Sequence, residues 1–178
     1  MQKIGQGSFS TAWLLNESTV LIHSVDYVKE CASYGWVPES RLFPEIERIE
    51  DPSDQTNLRA YTMEYFPKVK SLKDNLEPRE WLLYQTLRKI SVPYCEKDHD
   101  LSDRLISQFE GIPDEFEIER ESLLEMIDSL ANYGSDACFE ISPRNVSCKN
   151  GKLILLDCFF MKSQLIESRK NSNYRKGL

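Results

Sequence analysis

The dipeptide Asn150-Gly151 sits between two apolar runs, and no other stretch constrains the fold of this chain as tightly. Asn-Gly favours the two-residue turn whose central residues take positive φ, and that turn joins antiparallel strands. Residues 146–148 and 153–156 are then the two arms of a hairpin. Asp157 closes the second arm, and Glu140 lies five residues before Asn145, which opens the first. A fold that forms this hairpin brings an acid, an amide and a second acid to one place. Asp157 emerges where a buried strand ends, a costly position for a charge that has neither a partner nor a metal.

The rest of the chain divides into strands followed by helices. Gly5 and Gly7 form a turn between two extended segments, the second at 11–15, and residues 19–23 are β-branched and apolar. Backbone N–H groups of a glycine turn can approach phosphate oxygens, so Gly5, Gly7, Ser8 and Ser10 are a candidate nucleotide lid. An ordinary hairpin turn is the plainer alternative. Asp26 is placed to cap a short helix reaching residue 34, with Val28 and Cys31 or Ala32 facing inward. Strands are predicted at 45–50 and 59–65, with a polar turn at 51–57 between them, and Pro67 ends the second. Pro78 then starts a helix with a stripe of Trp81, Leu82, Tyr84, Leu87 and Ile90. After a polar link at 95–99, a helix is predicted at 101–109. A longer one opens at Pro113-Asp114, carries Leu123, Met126, Ile127 and Leu130 inward, and ends near Gly134. Residues 169–178 form a basic, frayed tail. This order predicts an α+β fold in which residues 1–66 are a sheet lobe and 67–178 a helical lobe of one domain.

Composition narrows the function classes. A formal net charge of −7 argues against a general nucleic-acid binder, which presents a basic face. No apolar run approaches the length of a membrane span and no signal peptide is evident. The five cysteines are odd in number and lack the spacing of a zinc site, which predicts a reducing, cytoplasmic setting.

The segments 4–13, 61–66, 138–145 and 157–159 together resemble the protein-kinase superfamily. IGQGSFSTAW is similar to the glycine-rich loop G-x-G-x-x-G-x-V, with Ser10 at the third glycine. YTMEYF resembles the last strand of the first lobe and the hinge, which implies Met63 as gatekeeper and adenine contacts along 64–66, at Glu64 and Phe66. CFEISPRN is similar to the catalytic loop H-R-D-L-x-x-x-N, with Glu140 at the Asp position and Asn145 at the Asn. DCF matches D-F-G at Asp157. The short format most resembles the small protein kinases of bacterial viruses. The resemblance implies ATP and Mg²⁺ or Mn²⁺ as cofactors. It makes Asn145 and Asp157 the metal ligands, and Glu140 the residue that positions the acceptor hydroxyl. It also implies a protein substrate or partner, a basic one suiting the acidic chain, and no nucleic acid.

The departures from that pattern carry their own expectations. The strand lysine that grips phosphates falls near His23, a shorter and normally neutral side chain. Glu30 is the candidate for the helix acid that would pair with that lysine, although a solvated helix charge explains it as well. Glu140 is one methylene longer than Asp, and Asp136 is a substitute carboxylate. Arg144 reads as a surface charge. The sequence runs only to Leu178 after Phe160, which predicts a truncated C-lobe without the usual platform for a peptide. Two functions fit. One is a minimal phosphotransferase that uses Glu140, Asn145 and Asp157. The other is a pseudokinase that keeps the fold and acts by docking a partner.

Overall fold

A computed structural model describes residues 1–37, 40–50, 58–90 and 101–170. The turn predicted at 51–57, the link at 95–99 and most of the basic tail lie outside the described residues. The chain opens with three antiparallel strands, β1 (Gln2–Gln6), β2 (Ser10–Leu14) and β3 (Thr19–Ser24). A helix, α1 (Tyr27–Ser33), follows, and then β4 (Ile46–Ile49) and β5 (Arg59–Glu64). They build one antiparallel sheet in the order β1-β2-β3-β5-β4, so the connection through α1 sends the chain past β5 to the far edge.

Strand alternation sorts the sheet into two faces. Val20 pairs with Met63 and Ile22 with Tyr61 across β3 and β5, and Ala12 pairs with Ile22 across β2 and β3. With Ile4, Ile46 and Tyr65 these residues form one apolar cluster on a single face. That face is the one turned toward α1, because Arg59, paired with Ser24 at its edge, forms an ion pair with Glu30 of the helix. Asp26 begins α1 as the sequence predicts, its Oδ1 accepting the Val28 N–H at 3.0 Å.

The second half is mostly helical. It contains α2 (Leu72–Asn75), α3 (Pro78–Ile90), α4 (Leu101–Glu110) and α5 (Glu117–Leu130), with single 3₁₀ turns on either side of α5. Four short strands follow in two pairs: β6 (Ala137–Phe139) with β9 (Phe159–Met161), and β7 (Val146–Lys149) with β8 (Lys152–Leu155). The last element is α6 (Lys162–Lys170). Helices α2 to α5 and both strand pairs share the large core, which also takes Cys31 of α1 and Leu42 from the α1–β4 connection. The two apolar clusters are separate. Among the described residues no helix is long and apolar enough to cross a membrane.

The predicted elements mostly appear where the spacing puts them, with three differences. Leu82 is exposed, and Leu83 takes the inward position beside Tyr84, Leu87 and Ile90, because the 3.6-residue period turns Leu82 away. α2 and α6 carry too little apolar periodicity to read as helices. The β6–β9 pair was not anticipated either, since each strand has only three residues.

Candidate functional site

The acid-bearing loop is built by packing on both sides of it. Phe139 ends β6 and Phe159 starts β9, with ring centroids 5.0 Å apart, and Phe109 of α4 closes the cluster edge-on to both. Phe109 and Phe139 are fully buried. Each ring contributes roughly 2–3 kcal/mol by leaving water, so the backbone bearing Glu140 and Asp157 is held from beneath. The Glu140 N–H donates to the Cys158 carbonyl at 2.8 Å, which sets the two acids on adjacent chain segments.

Asn145 ties the loop together. Its Oδ1 accepts from the Ser142 N–H at 2.7 Å and the Ser142 hydroxyl at 2.6 Å. Its Nδ2 donates to the carbonyls of Glu140 at 2.8 Å and Asp157 at 3.1 Å. The Asn145 carbonyl in turn receives the N–H groups of Leu156 and Asp157. Thus Glu140, Asn145 and Asp157 are brought together, as the hairpin spacing predicts. The hairpin turn itself has Asn150 at φ 51° and Gly151 at φ 78°.

The cation at this site is one that the sequence reading missed. Lys29 of α1 places its Nζ 2.7 Å from Asp26 Oδ2 and 2.8 Å from Asp157 Oδ1. Lys29 and Asp26 are buried, whereas the Asp157 side chain is 51% exposed. Burial works to lower the Lys29 pKa, but the charges of Asp157 and Asp26 outweigh it and hold the ammonium above its ordinary range. Burial pushes the Asp26 carboxyl up, the negative Asp157 adds to that, and Lys29 opposes both. The sequence held one signal for Lys29: residues 19–24 contain no lysine, and the first lysine beyond them lies at i+3 from a helix-capping Asp.

His23 lies within β3. It pairs in register with Thr11 and Ala60, and its ring lies 4.8 Å from Trp13. Strand parity therefore puts it on the face opposite Val20, Ile22 and Ser24, away from α1. Lys29 supplies the positive charge at Asp157. Glu30 pairs with Arg59 and not with a lysine. The Asp136 side chain receives the Ser163 N–H at the start of α6, so it serves that helix.

The glycine turn is docked beside the same cluster. Gly7 N–H donates to the Ser10 carbonyl at 2.8 Å, and the Phe9 carbonyl accepts from Val25 N–H and Ser24 Oγ, both at 3.2 Å. Ser10 Oγ and Ser24 Oγ lie 2.6 Å apart, and Ser24 Oγ accepts the Asp26 N–H at 3.0 Å. Ser8 is exposed at the tip. Neither Gly5 nor Gly7 has positive φ, and a Cβ on either would meet nothing closer than 3.9 Å. The chain itself does not require glycine at these two positions.

Residues 64–66, the expected hinge, lie at the other end of the sheet. Glu64 forms an ion pair with Lys149 of β7 at 2.7 Å, and the Tyr65 N–H donates to the Ser18 carbonyl at 2.8 Å. A cavity of about 1190 Å³ adjoins it, lined by Ile46, Met63, Glu64, Phe66, Phe43 and Ile154 among others. Glu140, Asn145 and Asp157 do not line that cavity, so its size says nothing about the acid cluster.

As placed, these residues do not fit the two-ligand divalent site expected at Asn145 and Asp157. Both lone pairs of Asn145 Oδ1 are taken by Ser142, and Asp157 Oδ1 faces an ammonium. Among the described residues no three His, Cys, Asp or Glu side chains converge as a metal set.

No family model and no curated protein sequence matches this chain. Among solved structures, the ADP-bound aminoglycoside phosphotransferase APH(2'')-Ib aligns at 17% identity and a TM-score of 0.39, over 90% of this chain and 66% of that one. The streptomycin–ATP–APH(2'')-IIa ternary complex aligns at 18% identity and 0.41, over 90% and 67%. The gentamicin–APH(2'')-IIa complex aligns at 13% identity and 0.37, over 99% and 78%. This chain thus spans just under two thirds of the first of these proteins.

Proposed function

We propose that this chain is a kinase-like domain that binds ATP between its sheet and its helical core and transfers the terminal phosphoryl group to a hydroxyl. One observation carries the reading. Glu140 is exposed on a loop tied down by Asn145, and the same loop sets Asp157 beside the Lys29 ammonium. Phosphoryl transfer depends chiefly on positioning and charge, and a loop locked from both sides supplies positioning.

Each part of the cleft has a role in this proposal. The apolar face of Ile4, Ala12, Val20, Ile22 and Met63 covers the purine base. The backbone of 64–66 borders it. Gly5 and Gly7 leave room for phosphates to approach the main chain, consistent with glycines that the fold does not need for itself. Glu140 accepts the proton of the acceptor hydroxyl. The acceptor class we assign is a protein side-chain hydroxyl of Ser/Thr type, on a basic partner suited to a chain of net charge −7. That assignment, the domain division at 66/67 and the likeness to viral kinases rest on the sequence motifs.

The test is labelled-ATP transfer together with an ATP thermal-shift titration. Glu140→Gln is expected to lose at least tenfold in transfer and to keep the ATP-induced shift, since the amide keeps the size and loses the basicity. Equal transfer in both proteins would remove Glu140 from the reaction. An absence of any ATP-induced shift in the wild type would remove the nucleotide.

A specific observation favours a second reading. Asn145 is spent on its own loop, and the strand face toward α1 carries Val20, Ile22 and Ser24 but no lysine. A pseudokinase that docks a partner needs only the shape. Binding of a partner with no transfer in the wild type would select it.

A further inference from the structure

The proposed reaction uses Lys29 only as the charge beside Asp157, and its contact with Asp26 has no part there. Asp26 belongs to the helix cap and Asp157 to the acid loop, 131 positions further on, yet one buried ammonium bridges them at 2.7 and 2.8 Å. Two carboxylates converging on a single point, one buried and one half-exposed, describe a cation-binding pair. The Asn145 amide, the other expected ligand, is turned to Ser142 and is closed to an outside cation.

We propose that Asp26 and Asp157 form a cation site filled by the chain's own Lys29, and that this ammonium keeps divalent ions off Asp157 in the free protein. The inference rests on reading Asp157 as a cation position, but not on nucleotide binding or transfer. Electrostatics gives the mechanism. With Lys29 in place its ammonium offsets the two carboxylates, and a divalent ion near Asp157 meets a positive charge 2.8 Å from the carboxylate oxygen. With Lys29 removed, two carboxylates face a vacated space, and an ion with oxygen preference would find both of them there.

The experiment measures Mn²⁺ binding by electron paramagnetic resonance, without nucleotide, in the wild type, Asp157→Asn, Lys29→Ala and the Lys29→Ala/Asp157→Asn double variant. Thermal unfolding is followed with and without Mn²⁺. The wild type and Asp157→Asn are expected to bind Mn²⁺ equally weakly. Lys29→Ala is expected to melt lower than wild type, to bind Mn²⁺ at least tenfold more tightly, and to regain stability as Mn²⁺ is added. Both gains should disappear in the double variant. Lys29→Ala that folds but binds Mn²⁺ no better than the wild type would overturn the proposal. So would a wild type whose Mn²⁺ affinity falls in Asp157→Asn. That second comparison needs no Lys29 variant, so it decides the matter even if Lys29→Ala does not fold. Failure of ATP to bind any of these proteins would count against the proposed function and leave this inference standing.

Discussion

Asn145 uses both lone pairs and both amide hydrogens on the chain itself. Its deletion therefore takes a partner from the partly buried Ser142 N–H and hydroxyl and from two exposed carbonyls. Asn145→Ala should cost about 2–3 kcal/mol in urea unfolding, by the usual worth of such bonds. A loss under about 0.5 kcal/mol would show that the loop holds without it. Gly7 makes the opposite prediction. Its backbone is ordinary and its Cβ space is open, so Gly7→Val should change stability by less than about 1 kcal/mol. If phosphates approach there, the same variant should weaken the ATP-induced thermal shift at least fivefold in apparent affinity. Retained affinity would make the turn a plain hairpin. The residue scale also shows what the sequence could tell. Glu140, Asn145 and Asp157 were legible because a local hairpin brings them together. Lys29 was not, because its contact with Asp157 spans 128 positions and depends on the way α1 packs. His23 stands on the strand face opposite Val20, Ile22 and Ser24, a parity that the run of β-branched residues alone does not orient toward α1.

At the scale of elements, the β7–β8 hairpin is the best-specified part of the molecule. Gly151 sits at φ 78°, and a Cβ there would lie 2.9 Å from Glu77 Cγ. Glu77 cannot yield freely, since its N–H donates to the Gly151 carbonyl at 2.9 Å and its carboxylate holds Lys152 at 2.6 Å. Gly151→Ala should therefore lower stability by about 1–3 kcal/mol, combining the left-handed backbone cost with the displaced Glu77. An unchanged urea midpoint would mean that the turn relaxes without cost. The same Asn-Gly signal made this hairpin readable. α3 and α5 were readable too, from apolar spacing and from Pro78 and Pro113-Asp114. The β6–β9 pair was hidden for the reverse reason: three residues carry no period, and the strands pair only after the Phe109, Phe139 and Phe159 rings have met.

At the scale of the whole molecule, one ionic network around the buried Glu80 and Glu119 joins parts that are far apart in sequence. Arg41, from the α1–β4 connection, pairs with Glu80 of α3 at 2.8 Å and with Glu119 of α5, and Arg79 pairs with Glu119 at 2.7 Å. Burial works to raise the Glu119 pKa, yet hydrogen bonds and charge from Arg79 and Arg41 outweigh it and hold the carboxyl below its ordinary 4.5. The unfolded chain then takes up this proton first on acidification. The stability it contributes is full above pH 4.5 and is lost as pH falls through the lower folded value. Glu119→Gln should cost about 2 kcal/mol at pH 7, and the gap from wild type should shrink as pH falls well below 4.5. A gap independent of pH would mean that the network works by shape and not by charge. The network has a further effect on time. Leu42 is fully buried in the helical core, the Leu155 N–H donates to the Leu42 carbonyl at 2.7 Å, and the Ser129 hydroxyl donates to the Trp36 carbonyl. With Cys31 also in that core, α1 has no lever arm of its own, although it lies against the sheet. Its amide hydrogens should exchange with deuterium on the same slow clock as those of α5, and a ligand entering the cleft should leave that clock unaltered.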